Sequence, residues 1–257
     1  MPVVTRFAPA PTGYLHLGHV LNAIEVWKAA SDGGRVLLRI EDHDRQRSRR
    51  EYEDAILEDL AWLGFTADGP LVRQSERHHI YKDALESLRA RGLVYACACS
   101  RADFDGRRYP GTCAGRNLPE TSETSLRIRL EPTVEHFDDL RLGPQTQQPS
   151  LQCGDLVARD REGNWTYQFA VVVDDWQQGV NLVVRGEDLL DSTGRQIQLA
   201  RLLGRAEPPR FLHHRLLMKS PAQKLSKSDG DTGVRDLRAK GLTPEQVKNL
   251  ALKPITD

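Results

Sequence analysis

The 257-residue chain lacks an excess of either charge: Lys plus Arg and Asp plus Glu number 36 each, so its formal net charge is zero. That removes a global field drawing it onto polyanions, and any nucleic-acid contact must come from local patches. It has no apolar run near the ~20 residues needed to span a bilayer. Arg6 stands near the start but no apolar h-region follows it, so a secretory signal is not expected and a cytoplasmic, non-membrane protein is. No Gly-x-x-x-x-Gly-Lys-Ser/Thr string occurs, which excludes a P-loop as nucleotide site. Internal repeats and low-complexity tracts are missing too. Cysteine is scarce, at four residues, but Cys97, Cys99 and Cys113 fall close together while Cys153 stands apart. Such a cluster suggests metal before disulfide in a chain of this kind.

Length and pattern fit one large α/β domain carrying an insertion. Val3 to Phe7 is a short apolar strand running into Ala8-Pro9-Ala10-Pro11-Thr12-Gly13, too rich in Pro and Gly to be helical. Leu17, Val20, Leu21, Ile24 and Trp27 recur at helical spacing. They predict a helix from about Leu17 to Ala30, stopped by Asp32-Gly33-Gly34 before a strand over Arg35 to Ile40. Helical patterns follow over Glu51 to Leu63 and Glu76 to Arg91. The middle is more irregular, with strands expected at Ser125 to Leu130 and Asp155 to Arg159 and a linker-like composition over Gly143 to Ser150. Strands are then expected at Tyr167 to Val173, Asn181 to Val184 and Phe211 to Met218, with a helix from Leu189 to Leu203. This resumed alternation implies a parallel sheet interrupted by an insertion.

Two cation-bearing strings frame the pattern. His16-Leu17-Gly18-His19 follows the first strand, and Lys224-Leu225-Ser226-Lys227-Ser228 comes about 200 residues later. A strand that turns tightly into a helix presents unpaired backbone N–H groups and the positive end of a helix dipole, where anions bind. Two imidazoles three positions apart, with Gly18 between them to admit close approach, can donate hydrogen bonds to phosphate oxygens. Surface histidines on an N-terminal helix would explain the tetrapeptide alone; the Pro-rich turn before it favours the anion site. Lys224 and Lys227 suit a leaving pyrophosphate, stabilising charge on the β- and γ-phosphates during displacement at the α-phosphate. Alone, a solvated basic loop explains them as well. Paired and in this order, the strings point to a triphosphate held between two halves.

Arg6-Phe-Ala-Pro-Ala-Pro-Thr-Gly13 with His16-Leu-Gly-His19, Arg39-Ile-Glu-Asp42, Val184-Arg-Gly-Glu-Asp188 and Lys224-Leu-Ser-Lys-Ser228 resembles the catalytic domain of class I glutamyl-tRNA synthetases. Only 29 residues follow Ser228, where a full synthetase continues into a large anticodon-binding region. The expectation is therefore the family's truncated branch, the glutamyl-Q tRNA(Asp) synthetases. The resemblance implies an α/β fold with a Rossmann-like parallel sheet, a zinc-containing insertion and a short helical C-terminal part. Residues 1–92 would be the first half of the catalytic domain, 93–160 the insertion with the zinc site, and 161–218 the second half. Residues 219–257 would be the lysine loop and a short helical segment, with no anticodon-binding domain.

By the same resemblance the chain activates L-glutamate with ATP and Mg2+ without tRNA, then attaches it to queuosine in the anticodon of tRNA(Asp). His16, His19 and Lys227 would be catalytic. ATP would be held by His16, Gly18, His19, Lys224, Ser226 and Lys227, and glutamate by Arg6, Phe7, Ala8, Pro9, Ala10, Glu41, Tyr167 and Arg185. The chemistry agrees, because two carboxylates and an ammonium need at least one arginine and one carboxylate. Arg6 and Arg185 would take carboxylate and Glu41 the ammonium. Ala10 stands where the family often has serine, so a side-chain contact is lost there while backbone contacts remain open. Blander readings stand beside each: Arg185 paired with Glu187 and Asp188, Glu41 with Asp42 as a solvated strand end, Tyr167 as a core aromatic. No side chain stands out as a base for the second step.

Three thiolates leave one corner of a tetrahedral zinc site open. Water, Asp103, Asp105 or a distant residue can fill it. In the resembled family a tyrosine four residues before the last cysteine does so, and Tyr109 stands there; zinc would be structural, holding a loop-rich insertion. Buried free thiols are the alternative, and Cys153 has no assigned role. The pairs His78-His79 and His213-His214 point in different directions within each pair and read as structural. Arg45, Arg47, Arg49 and Arg50 are the best local candidate for RNA phosphate. A monomer is expected. The rival functions are a discriminating or split glutamyl-tRNA synthetase charging tRNA(Glu), and a catalytically silent synthetase-like RNA-binding module.

Overall fold

The computed structural model describes residues 1–104, 108–220, 223–224 and 233–253. In chain order its elements are β1 (Val4–Phe7), α1 (Leu17–Ala29), β2 (Arg35–Ile40), α2 (Arg50–Trp62), β3 (Val72–Arg73), α3 (His78–Arg89), β4 (Val94–Cys97), β5 (Ser125–Ile128), β6 (Glu135–Asp139) and β7 (Gly143–Gln147). Then come α4 (Pro149–Gln152), β8 (Leu156–Arg159), α5 (Tyr167–Gln177), β9 (Leu182–Gly186), α6 (Thr193–Leu202), β10 (Arg210–His214), β11 (Met218–Ser220), β12 (Gln223–Lys224), α7 (Val234–Ala239) and α8 (Pro244–Leu252). The chain packs as two compact units. One takes in Met1–Gln74, Val180–Leu189 and the chain from Phe211 onward; the other takes Ser75–Gly179 and Leu190–Arg210.

In the first unit β1 runs parallel to β2, with Val4 opposite Arg35 and Phe7 opposite Leu38, and β2 runs parallel to β3. The strand-helix-strand start therefore stands as the apolar spacing predicts. Helix α1 buries Val20, Leu21, Ala23 and Val26, with Leu17, Ile24 and Trp27 packed partly buried against the same core. Gly33 takes a left-handed φ of 72°, and a Cβ on Gly34 would lie 2.8 Å from the Val3 carbonyl oxygen, so the turn into β2 requires both glycines. On the far side of β1, Asn181 donates its N–H to the Val4 carbonyl and accepts the Val4 N–H on Oδ1. That pins the start of β9, whose other neighbour is β10. Phe7, Leu21, Ile40, Ile56, Val184 and Val247 share one core. Each such side chain contributes about 1.5–3 kcal/mol by leaving water.

The second unit is built on an antiparallel sheet in the order β4-β5-β8. Its core gathers Tyr81, Leu88, Ile128, Phe169, Val171 and Leu199. Three expectations fail here or nearby. Tyr167 to Val173 is not a strand but the start of α5, whose residues from Phe169 through Asp175 are all buried. A helix enclosed on every side shows no 3.6-residue period, and its run of three valines mimics a strand. Gly143 to Ser150 is not a linker: β7 pairs with β6 from Glu135 opposite Gln147 to Asp139 opposite Gly143, and Pro149 opens α4. The strand expected over Phe211 to Met218 is divided, with β10 ending at His214 and β11 starting at Met218. Among the described residues no helix is long and apolar enough to cross a membrane.

Candidate active site and metal cluster

The histidine string is the N-cap of α1. His16 has extended backbone, its Nδ1 accepts the Gly18 N–H at 3.0 Å, and His19 Nδ1 accepts the His16 N–H at 3.1 Å. This is a capping box made by two imidazoles instead of Ser and Glu. Each ring spends Nδ1 as an acceptor, so in the neutral form both carry their proton on Nε2. The rings lie 3.9 Å apart. A Cβ at Gly18 would sit 2.8 Å from His16 Cε1, so glycine is required for the ring to hold this pose. The chain returning after the lysine string is anchored on the same loop. Gly233 forms an antiparallel bridge with His16, and the Val234 N–H donates to the Leu15 carbonyl at 2.8 Å. Lys224 lies in β12, paired with β11, while Ser226 and Lys227 lie outside the described residues.

The carboxylate- and ammonium-binding candidates gather in the same unit. Arg6 and Arg185 are each only 4% exposed and Glu41 7%. Arg6, on β1, donates to the Val184 carbonyl of β9 at 3.4 Å. Arg185, on β9, donates from Nε to His213 Nε2 on β10 at 3.0 Å and lies over the Phe211 ring. Glu41 is not a solvated strand end: it pairs at 3.2 Å with Arg39, which is fully buried. Its N–H donates to the Pro9 carbonyl, which ties the turn after β2 to the Ala8-Pro9-Ala10 stretch. The Phe7 side chain lies in the core against Trp27, which leaves its backbone to face a ligand. Tyr167 belongs to the other unit, half-buried at the start of α5 behind Thr166.

Sequence reasoning gave His213 and Arg39 no part in the site, yet they are the partners of Arg185 and Glu41. His213 is fully buried, and as acceptor for Arg185 it is a neutral ring with its proton on Nδ1. His214, beside it, sits between Asn22 Oδ1 and the Arg215 carbonyl, and His78 accepts the Trp165 indole N–H, so the structural reading stands for those two.

In the second unit the Sγ atoms of Cys97, Cys99 and Cys113 lie within 4.8 Å of one another, a group able to hold a metal ion. The Tyr109 hydroxyl is 3.4 Å from Cys97 Sγ and accepts the Cys113 N–H at 2.8 Å, which puts an oxygen beside the three sulfurs. Its backbone is clamped: the Tyr109 N–H donates to the Cys153 carbonyl, and a Cβ on Gly154 would lie 2.1 Å from the Tyr109 carbonyl oxygen. Burial opposes ionisation of Cys97, yet hydrogen bonds from Tyr109, the Cys99 backbone and Arg127 outweigh it and bring the thiol down to about 7. Burial and the neighbouring sulfurs push Cys99 up to about 11. Burial and Cys97 likewise raise the Tyr109 phenol. Asp103 is spent on its own turn, accepting from the Ser100 N–H and hydroxyl, and Asp105 lies outside the described residues.

Residues 2–253 match the model of the class I tRNA synthetases (E and Q), catalytic domain. The glutamyl-Q tRNA(Asp) synthetase of Rhodobacter capsulatus is 40% identical, over 96% of this chain and 99% of that protein. That of Ectopseudomonas mendocina is 43% identical, over 94% and 86%. Among solved structures, a glutamate tRNA ligase from Elizabethkingia meningosepticum in complex with its amino acid aligns with a TM-score of 0.81 at 28% identity. It covers 98% of this chain, which spans 60% of that one. Mycobacterium tuberculosis methionyl-tRNA synthetase, at 15% identity and a TM-score of 0.62, shares the fold. The chain belongs to the class I tRNA synthetases of the E and Q type, whose catalytic domain it matches almost end to end.

Proposed function

We propose that the chain activates L-glutamate with Mg-bound ATP, without tRNA, and transfers the glutamyl group to queuosine in the anticodon of tRNA(Asp) in the cytoplasm. The observation that carries the first step is the buried charge set of Arg6, Arg39, Glu41 and Arg185 beside a histidine-capped helix. Enclosing that many charges in one unit costs stability, and it equips the unit to bind a small charged substrate. Arg6 and Arg185 take the carboxylates of glutamate, and Glu41 takes the ammonium. A substrate carboxylate oxygen attacks the α-phosphorus, the bond to the bridging oxygen breaks, and pyrophosphate leaves. His16 and His19 donate from Nε2 to the phosphates, with Lys224, Ser226 and Lys227 acting on the same charge. A hydroxyl of the queuosine ring then attacks the mixed anhydride and AMP departs. The names of the relatives, similar over almost the whole chain, support this second step. Cys97, Cys99, Cys113 and Tyr109 hold one structural zinc ion.

The test is ATP–pyrophosphate exchange without tRNA. Exchange is expected with glutamate and not with glutamine or aspartate; no exchange with glutamate refutes the reading. The likeness to solved glutamate ligases supports charging of tRNA(Glu) as the second reading.

A further inference from the structure

Strand β5 carries two faces. Leu126 and Ile128 join the core of the second unit, while Ser125 and Arg127 of the strand, with Arg129 just beyond it, make their contacts on the side of the cysteine loop. The contacts confirm this side: the Ser125 hydroxyl donates to the Cys97 carbonyl, and Arg129 donates to the Ala114 carbonyl. The Arg127 guanidinium lies 3.6 Å from the centre of the Tyr109 ring.

Arg127 is 6% exposed, and a buried cation needs a counter-charge. Its Nη1 donates to a neutral group, the Asp155 carbonyl, at 2.8 Å, and its Nε is enclosed with no hydrogen-bond partner. The Asp155 carboxylate is spent elsewhere, on the Tyr95 hydroxyl and the Leu130 N–H. Among the described residues no carboxylate forms an ion pair with Arg127. The anion that suits it is the metal site itself. Three thiolates and a phenolate around a divalent cation leave negative charge in excess, most of it buried.

We infer that Arg127 is the counter-ion of the Cys97, Cys99, Cys113 and Tyr109 site, a positioning residue that makes zinc retention depend on a guanidinium stacked on the tyrosine ligand. Arginine suits the place because its flat face covers a ring while its edge donates to a carbonyl, which an ammonium cannot do at once. The inference rests on the zinc reading above. It predicts effects of opposite sign in the two metal states. With zinc bound, the cation faces the full negative charge of the ligand set; without zinc and with the thiols protonated, it is a buried charge with no carboxylate ion pair among the described residues.

The test is zinc titration of the full chain against a chromogenic chelator, with melting curves of the zinc-free proteins. Arg127→Met is expected to weaken zinc retention about 10- to 100-fold, the range for partners just outside the ligand shell, with Arg127→Lys in between. Zinc-free Arg127→Met is expected to melt no lower than the zinc-free parent. In a Tyr109→Phe background, which removes one negative ligand, the loss from Arg127→Met should shrink. Unchanged zinc retention in Arg127→Met overturns the inference, and so does an equal loss in both backgrounds or a lower zinc-free melting point. If the parent retains no zinc, the zinc reading falls and the inference with it; if the parent holds zinc and Arg127→Met holds it equally, only the inference falls.

Discussion

Asp59 is a fully buried carboxylate on α2 whose two oxygens have no hydrogen-bond partner. Burial raises it to about 6, against the opposing pull of Arg235 and with the repulsion of Glu58 adding to it. In the unfolded chain it titrates in the usual carboxylate range near 4. Between those values the folded state holds a proton that the unfolded state has released, so stability falls as pH rises through that window and stays low above it. Asp59→Asn is expected to raise the melting temperature by a few degrees at pH 7.5 and by less at pH 5. An equal gain at both values would show that the carboxylate does not titrate in this way. Gly18 acts by space rather than charge. Gly18→Ala drives a methyl into the His16 ring and is expected to lower glutamate-dependent exchange at least tenfold, with the melting temperature nearly unchanged.

At the scale of elements, α1 joins stability to chemistry through one residue. His16→Ala removes an N-cap, a loss of about 1 kcal/mol, and also removes an imidazole proposed to touch phosphate. Asn caps well, so His16→Asn is expected to keep the melting temperature within a degree or two while exchange still collapses. Retained exchange in His16→Asn would reduce the histidine to a cap. The same helix shows what was legible in the sequence: its apolar spacing and the Asp32-Gly33-Gly34 stop are local signals, and both hold. Helix α5 was not legible, because burial on every side erases the period that marks a helix. The β6/β7 hairpin was hidden because few of its residues are apolar, so no alternation shows. Arg6, Glu41 and Arg185 could be picked by their strings. Their partners could not: the Arg185–His213 contact joins neighbouring strands 28 positions apart in the chain, and no spacing encodes it.

On the scale of the whole molecule, equal numbers of acidic and basic residues leave any RNA contact to patches. The arginine stretch before α2 is exposed but locally engaged: Arg47 pairs with Asp44, Arg49 donates to the Gln46 and Ser48 carbonyls, and Arg50 pairs with Asp54. If these arginines meet phosphate, reversing the charge of Arg47 and Arg49 lowers transfer to tRNA severalfold and flattens its salt dependence, while exchange without tRNA is unchanged. Unaltered transfer would place the RNA elsewhere. The proposed activity is defined by where the activated glutamate goes. The most direct measurement is transfer of labelled glutamate to tRNA(Asp) with and without queuosine, with tRNA(Glu) alongside. Label is expected only on the queuosine-bearing tRNA(Asp); label on tRNA(Glu), or equal label on both forms of tRNA(Asp), would contradict it.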